Sequence, residues 1–251
     1  MSARVLPDWP APPNVGALTT TRAGGCSKGP FASMNLALHV GDDTAAVLRN
    51  REHLRSLFGL PDEPVWLEQV HGTSVVKPDR RPVRRGRPPR ADAAWTDRAG
   101  VVCCVMTADC LPVLLCDTAG TRVGIAHAGW RGLAGGVIEA TAAAMLAEPG
   151  ATSLMAWLGP AISPAAYEVG PEVRAAFVES EPTAAGAFQP NAHGRWQADL
   201  YALAGAALER AGVTRIFGGG FCTQRDARRF FSHRREAPCG RMASLIWLKS
   251  A

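Results

Sequence analysis

The sequence predicts an α/β fold with mixed sheets, and two patterns in it carry this prediction. Three short, almost wholly apolar runs follow one another in the middle of the chain, at 101–106, 112–116 and 123–126. Such runs are typical of central strands that are buried on both faces. Segments with helix-capping residues and helix breakers alternate with apolar runs along the chain. This alternation of strands and helices is typical of α/β proteins.

Capping residues and helix breakers set the expected bounds of the elements. Asp43 is expected to cap a helix that ends near residue 58, because Gly59 and Pro61 follow it. Further helices are expected at 132–147, from Pro171 onward and at 199–211. Further strands are expected at 65–70, 74–77, 154–158, 215–217 and 244–248. No linker or internal repeat divides the sequence, so we expect residues 1–251 to form a single domain.

Composition favours a cytoplasmic protein with a substantial core. The chain has 251 residues, of which 47% are apolar, so it needs no crosslinks for stability. Residues 1–13 contain one basic residue, Arg4, and four prolines, which does not fit a signal peptide. No apolar run reaches the roughly 18 residues that a membrane span requires. We therefore expect a cytoplasmic protein without a membrane partner.

The cysteine pattern indicates reduced thiols rather than a disulfide framework. The chain has seven cysteines and no Cys-x-x-Cys pair, which argues against disulfides, a zinc ribbon and a thioredoxin-like motif. Cys103 and Cys104 are neighbours on an expected strand, so their side chains point to opposite faces. They are not expected to serve one site together.

The positive charge is concentrated in one segment. The net charge is +5, and segment 79–90 holds six arginines and one aspartate, so the rest of the chain sums to zero. Its prolines and its position between expected strands favour an exposed loop over a nucleic-acid-binding face. We expect no nucleic-acid partner. The charge does not exclude an anionic substrate or partner.

Three polar signatures interrupt the apolar strands, at 68–72, 107–110 and 126–132. Residues at strand ends are well placed to converge, because the sheet fixes their spacing. His71, Cys110 and His127 supply two imidazoles and a thiolate, which is a donor set that zinc accepts. A catalytic zinc site keeps a fourth position open for water.

Two alternatives to a metal site stay open at this point. Cys110 and His127 could form a thiolate nucleophile and its general base. The three residues could also be unrelated core or surface groups. The presence of two histidines rather than one favours the metal.

Basic groups near these motifs are candidates for binding an anion. Arg131 stands where the His127 strand passes into a helix, and Arg22 stands in a glycine-rich turn; both guanidiniums match the geometry of phosphate. Close helix–sheet packing is an equal explanation for the glycines around Arg131. His39 and His233 stand near the expected site loops, but for both we expect surface or packing roles.

The motifs together resemble one known family. They match in order from about residue 15 to the C-terminus, at 20–25, 33–36, 68–71, 108–112, 126–132, 158–162, 222–223, 231–232 and 240–241. With them the chain resembles the YfiH, or laccase-domain, family of purine nucleoside phosphorylases. The stretch around His127, Ala-His-Ala-Gly-Trp-Arg-Gly, is highly specific.

The resemblance implies a fold, a metal and an activity. The implied fold is a layered α/β/β/α sandwich, similar to the catalytic domain of cytotoxic necrotizing factor toxins. The implied cofactor is zinc, or sometimes copper, at His71, Cys110 and His127. The implied activities are phosphorolysis of adenosine, inosine, guanosine and methylthioadenosine and hydrolytic deamination of adenosine. Some bacterial members are implicated in peptidoglycan editing, the removal of wrongly incorporated serine from a muropeptide precursor.

Roles follow for further residues as hypotheses. In deamination, Asp109 or Glu68 would move the proton between water and the base. In phosphorolysis, Arg22 and Arg131 would hold phosphate. Asn35 and Gln69 would anchor the purine nucleoside. The oligomeric state is left open.

The same residues also suit rival activities. An amide hydrolase acting on a cell-wall precursor would use Cys110 and His127. A structural zinc normally has four protein ligands, and three convincing ones are present. A genuine multicopper laccase needs many histidines, usually as His-x-His pairs; the chain has six histidines and no such pair, so we reject that activity.

Overall fold

The computed structural model describes residues 3–78 and 87–250. Residues 79–86 of the arginine-rich segment, for which an exposed loop is expected, lie outside the described residues. The strands are β1 (Arg4–Val5), β2 (Val15–Thr20), β3 (Val75–Val76), β4 (Ala93–Thr96), β5 (Val102–Thr107), β6 (Leu111–Asp117), β7 (Val123–Ala128), β8 (Leu154–Leu158), β9 (Glu168–Val169), β10 (Phe188–Pro190), β11 (Trp196–Ala198), β12 (Arg215–Gly218) and β13 (Met242–Leu248). The helices are α1 (Thr44–Phe58), α2 (Trp130–Ala134), α3 (Val137–Leu146), α4 (Pro171–Val178), α5 (Leu200–Arg210) and α6 (His233–Glu236). Within residues 3–78 and 87–250, no helix has the length and apolar character needed to cross a membrane.

The protein is a mixed α/β protein with three sheets. A six-stranded sheet has the order β12-β8-β6-β7-β4-β3, and a four-stranded sheet has the order β1-β2-β13-β5. The six-stranded sheet is mixed, because β12 and β8 pair in parallel, as do β3 and β4, while its other pairs are antiparallel. The four-stranded sheet is antiparallel. A small third sheet has the order β10-β11-β9.

Three clusters of buried side chains show how these elements pack. One cluster joins Cys103 and Ile246 of the four-stranded sheet to Leu114 and Trp157 of the six-stranded sheet, so these sheets pack against each other. A second packs α1 against the four-stranded sheet, through Leu54 among others. A third packs α3 and α5 against the six-stranded sheet. The expected similarity to the toxin catalytic domain and the single-domain organisation stay predictions.

Several elements confirm the sequence-based expectations. Asp43 accepts hydrogen bonds from the N–H groups of Ala45 and Ala46 at the start of α1, and Gly59 ends α1 at a φ of 58°. The three central apolar runs form β5, β6 and β7 within about two residues of the expected bounds. Cys103 and Cys104 lie in different clusters, which confirms that they face opposite sides of β5.

Other expectations are wrong in detail. The helix expected at 132–147 is two helices, α2 and α3, separated by Gly135 and Gly136. Adjacent glycines destabilise a helix, and Gly136 has a φ of 92° that breaks it. Residues 65–70 form only isolated bridges, at Val65 and Glu68, instead of a strand.

Candidate functional site

The sheet brings the three polar signatures to one place. Pairing of β6 with β7 sets Leu111 opposite Ala128, which places Cys110 beside the segment that follows His127. The ligand atoms of His71, Cys110 and His127 all lie within 4.8 Å of one another. Cys110 Sγ is 3.9 Å from His71 Nε2, and the two imidazole ring centroids are 4.8 Å apart. The convergence expected from strand ends is therefore observed.

This cluster has the donor set and spacing of a metal site. Tetrahedral zinc, with bonds of about 2.0–2.3 Å, separates its N and S ligands by about 3.4–3.6 Å, so closure requires movements of about 1 Å. Nitrogen and thiolate donors suit zinc and also copper. His127 is buried, Cys110 is half-buried and His71 is exposed, so the cluster opens to one side. Among the described residues, the group consists of these three side chains. Three protein ligands fit a catalytic metal centre, which keeps its fourth position open.

Two residues at the cluster have unusual backbone conformations. His71 has a φ of 60° and Asp109, next to Cys110, has a φ of 88°. They are the two non-glycine residues with positive φ among residues 3–78 and 87–250. Such conformations cost about 1–3 kcal/mol and concentrate at functional sites. Their position at two of the three candidate ligands supports a functional origin.

Asp92 organises the cluster, and the sequence analysis missed it. Its Oδ1 lies 2.8 Å from His127 Nδ1 and accepts the His71 N–H at 2.9 Å. Its Oδ2 accepts the N–H groups of Val70 and Gly72 at 3.1 and 2.7 Å. The contact with Nδ1 leaves His127 Nε2 available as the ligand atom. A buried carboxylate behind a ligand histidine is a recurring support of metal sites.

Electrostatics favour a thiolate beside an imidazolium when no metal is bound. Burial would raise the pKa of Cys110, but the charges and hydrogen bonds of His127 and His71 lower it to about 6. Burial would lower the pKa of His127, but the Cys110 thiolate and Asp92 raise it to about 9. Thiolate is the form of cysteine that binds metals and attacks electrophiles.

We expect Cys110 in the metal-free protein to be alkylated by iodoacetamide with a midpoint near pH 6, because its thiolate forms there. Mass-spectrometric peptide mapping across pH would measure this midpoint for each cysteine. Cys103 and Cys116, whose pKa burial raises to about 12, serve as internal controls and should stay unlabelled. A Cys110 midpoint near the ordinary thiol value of about 8.5 would contradict the expectation.

Gly129 leaves room for the cluster. A Cβ at this position would lie 2.9 Å from His71 Cδ2 and 3.0 Å from Cys110 Sγ. Its φ of −68° and ψ of 159° are accessible to any residue, so space rather than backbone strain requires glycine here.

Replacing Gly129 with alanine is expected to lower zinc affinity at least about tenfold, because the added methyl displaces two ligands. Competition with a chromogenic chelator would measure this affinity. Gly205→Ala is the matched control, since a Cβ at Gly205 in α5 meets nothing within 4 Å. Equal zinc affinity in both variants would show that the cluster does not bind the metal in this arrangement.

The cluster lies in the wall of a cavity of about 400 Å³. Cationic or titratable basic side chains share this wall with aromatic ones; the basic ones are His39, Arg131, His233, Arg234 and Arg241, and the aromatic ones are Trp130 and Tyr167. His39 and His233, for which surface or packing roles are expected, are both exposed and also line the cavity. Their place in the cavity wall depends on the fold, because neither stands in a strand-end signature.

Two predicted substrate-binding residues lie outside the cavity wall. Asn35 is fully buried, and its amide group bonds to Ala37, Asp42 and the Arg241 N–H. Arg22 donates to the carbonyl oxygens of Ala32 and Ala227 and to Glu236. Both side chains are occupied in holding loops together, so the structure does not support their binding of substrate.

Three of the four remaining candidates line the cavity, and Glu68 does not. Gln69 lines the cavity, but its amide bonds on both sides to the Met106 backbone. Asp109 lines the cavity, and its carboxylate accepts from Thr223, Ser232 and the Arg234 N–H, which leaves little capacity for proton transfer. Glu68 is exposed and outside the cavity wall. Arg131 lines the cavity and stacks on Trp130 at 4.3 Å.

Comparisons with known proteins place these features in a family. The family model described as "Multi-copper polyphenol oxidoreductase laccase" matches residues 16–249. A Pseudomonas aeruginosa protein named purine nucleoside phosphorylase PA4543 is 54% identical over 99% of this chain and 100% of its own length. An Escherichia coli protein named purine nucleoside phosphorylase YfiH is 49% identical over 99% of this chain and 100% of its own length.

Solved structures agree with these matches. A crystal structure of the Neisseria meningitidis protein NMB0706 has a TM-score of 0.91 and 51% identity, and covers 99% of this chain and 100% of that one. A crystal structure of YlmD from Geobacillus stearothermophilus has a TM-score of 0.85 and 34% identity, with 95% and 93% coverage. The resemblance read from the motifs is confirmed, and the chain belongs to the YfiH, or laccase-domain, family.

Proposed function

We propose that this chain is a metal-dependent purine nucleoside phosphorylase that also deaminates adenosine hydrolytically. The observation that carries the proposal is an open His-Cys-His cluster set in a cavity with aromatic and cationic walls. The names of the Pseudomonas and Escherichia relatives, which match over their whole lengths, support the same activity. We further propose that residues 1–251 act as one catalytic domain in the cytoplasm.

His71, Cys110 and His127 would hold zinc, with copper as the alternative. A bound metal of this kind supplies a Lewis acid and lowers the pKa of water at its open position. Asp92 holds the His127 imidazole by its Nδ1 and fixes the loop at residues 70–72 through backbone N–H groups. These residues therefore orient the ligands before any substrate arrives.

The cavity fits the two proposed substrates. Its volume of about 400 Å³ lies in the usual range for small-molecule sites. The rings of Trp130 and Tyr167 offer surfaces on which a purine can stack. The basic side chains of the wall suit orthophosphate, which phosphorolysis requires. Among the described residues of that wall Asp109 is the one carboxylate, and it already accepts three hydrogen bonds, from Thr223, Ser232 and the Arg234 N–H.

A second candidate function uses the same atoms as a nucleophile. The Cys110 thiolate, the His127 imidazole and Asp92 are linked in series, as in hydrolases with a cysteine nucleophile. The candidate is an amidase that removes serine from a muropeptide precursor. The lowered pKa of Cys110 supplies the thiolate that this alternative requires, as it also does for metal binding.

One experiment separates these activities. Metal-loaded and chelator-treated protein would be incubated with adenosine, with and without phosphate, and the products resolved by chromatography. Adenine formed only with phosphate, and only by the metal-loaded protein, supports phosphorolysis. Inosine and ammonia formed without phosphate support deamination. Inert nucleosides together with serine release from a muropeptide precursor would overturn the proposal in favour of the amidase.

A further inference from the structure

Arg131 and Arg234 are both connected to candidate metal ligands, Arg131 along the chain and Arg234 through a hydrogen bond. Arg131 lies four residues after His127, at the start of α2. The backbone N–H of Arg234 donates to Asp109 at 2.7 Å, and Asp109 is bonded in the chain to Cys110. The two side chains thus enter the same cavity wall from two different elements, α2 and α6.

Arg131 and Arg234 both lie close enough to Tyr167 for their charges to act on its phenol. Arg234 lies over the Tyr167 ring, 5.4 Å from its centroid. Burial raises the pKa of Tyr167 and the nearby Cys110 thiolate adds to this, while the positive charges of Arg234 and Arg131 oppose it. The phenol therefore stays protonated and can donate a hydrogen bond to a ligand in the cavity that Tyr167 lines.

The charges of these arginines are available to a ligand. The Arg234 Nη1 donates to the Glu168 carbonyl oxygen at 2.8 Å, and Arg131 stacks on Trp130. In residues 3–78 and 87–250, neither guanidinium forms an ion pair with a carboxylate. Paired cations beside a hydrogen-bond donor are the recognition chemistry of a phosphate dianion.

We propose that Arg131, Arg234 and the Tyr167 hydroxyl form an orthophosphate subsite beside the Cys110 side of the metal cluster. This inference rests on the proposed phosphorolysis and deepens it. In that reaction a phosphate oxygen forms a bond to ribose C1′ while the C1′–N9 bond breaks. The electron pair of the broken bond goes to the purine, which takes up the proton that the attacking phosphate loses. The subsite holds the phosphate for this displacement, and Arg22, which pairs with Glu236, does not take part.

The test measures phosphate and nucleoside separately on the metal-loaded full-length protein. Arg131→Gln and Arg234→Gln are each expected to raise the KM for phosphate about 10- to 100-fold, as the loss of one charge-assisted hydrogen bond implies. The KM for inosine at saturating phosphate should change less than about threefold. An unchanged KM for phosphate, or equal increases for both substrates, would overturn the subsite.

Arg195→Gln is the matched control. Arg195 carries the same charge and pairs with Glu168, the residue whose carbonyl binds Arg234, but its side chain is 53% exposed and outside the cavity wall. This variant should keep the KM for phosphate of the wild type. Arg234→Lys, which keeps the charge, should recover part of the loss, and thermal unfolding would establish that all variants fold.

Direct binding of inorganic phosphate distinguishes failure of the subsite from failure of the proposed function. Isothermal titration without nucleoside should show phosphate binding by the wild type and Arg195→Gln, and its loss in the two cavity variants. If phosphate binding is lost in the two cavity variants but the wild type has no phosphorolysis, the subsite is supported and the proposed function is rejected. If the wild type has phosphorolysis but phosphate binding is unchanged in the cavity variants, the proposed function is supported and the subsite is rejected.

Discussion

Replacing Cys110 with alanine is expected to remove the metal and to lower turnover at least about a thousandfold. Two imidazoles would remain, and zinc sites in proteins use three or four protein ligands. A metal-activated group contributes several kcal/mol to transition-state stabilisation, and each 1.4 kcal/mol is a factor of about ten in rate. Metal content by mass spectrometry and turnover of adenosine with phosphate would measure the two effects.

Cys222→Ala is the control for Cys110→Ala. Cys222 is also a half-buried thiol, and it accepts a hydrogen bond from the Ser163 N–H, but it lies outside the cavity wall. Metal content and turnover should stay at wild-type levels in this control. Full metal content in Cys110→Ala would contradict the ligand role of the thiolate.

Cys110→Asp separates the two roles of the thiolate. A carboxylate can bind zinc, but it does not replace a cysteine nucleophile. Retained metal with measurable turnover would support Cys110 as a ligand. Retained metal without turnover would support Cys110 as a nucleophile.

Local signals in the sequence were sufficient for the central part of the fold. Strands β5, β6 and β7 are buried on both faces, so nearly every residue in them must be apolar and the run is visible in the sequence. Helix α1 begins at a capping aspartate and ends at a left-handed glycine, and both are local features. Sequence patterns of these kinds depend little on the rest of the chain.

The elements that sequence reasoning missed depend on their tertiary surroundings. Strand β4 has the sequence Ala-Ala-Trp-Thr, in which alanine has weak strand propensity, and its pairing with β7 stabilises it. The strands of the small sheet, β9 to β11, have two or three residues each. Segments of this length carry no periodicity from which a strand can be predicted.

In the candidate site, too, some residues are visible from local sequence and the roles of others depend on the tertiary structure. His71, Cys110 and His127 stand in polar signatures at strand ends, which made them visible. Arg22 and Asn35 stand in equally recognisable motifs, but they hold loops through hydrogen bonds. A motif therefore identifies residues that matter without separating ligand contacts from structural contacts.

Asp92 could not be assigned from spacing, because its role depends on the register between two strands. It lies 35 positions from His127 in the chain, and β4 and β7 bring the two side chains together. The available signal was an acidic residue inside the apolar stretch Ala91-Asp92-Ala93-Ala94. A buried carboxylate requires partners, so this stretch indicates that Asp92 has one, but the sequence does not show which residue it is.

Replacing Asp92 with asparagine is expected to lower metal affinity about 10- to 100-fold, the usual effect of removing a carboxylate behind a ligand histidine. The amide keeps the size of the carboxylate but not its charge. Its NH₂ group also cannot accept the N–H bonds that Val70, His71 and Gly72 donate to the two carboxylate oxygens. Both imidazoles should lose their fixed orientation, and turnover should fall with metal affinity. Competition with a chelator and steady-state kinetics at saturating zinc would measure these losses.

Asp117→Asn is the control that separates loss of ligand orientation at the metal site from loss of stability. Asp117 is equally buried and accepts the N–H groups of Thr121 and Arg122, but it lies at the opposite end of β6 from Cys110. For both aspartates, burial opposes ionisation while hydrogen bonds lower the pKa below its usual range, so both substitutions should reduce the free energy of unfolding. Only Asp92→Asn should reduce zinc affinity, because only Asp92 contacts a ligand imidazole. Equal zinc affinity in the two variants would mean that the sheet alone orients His127, and that the carboxylate serves stability rather than the metal.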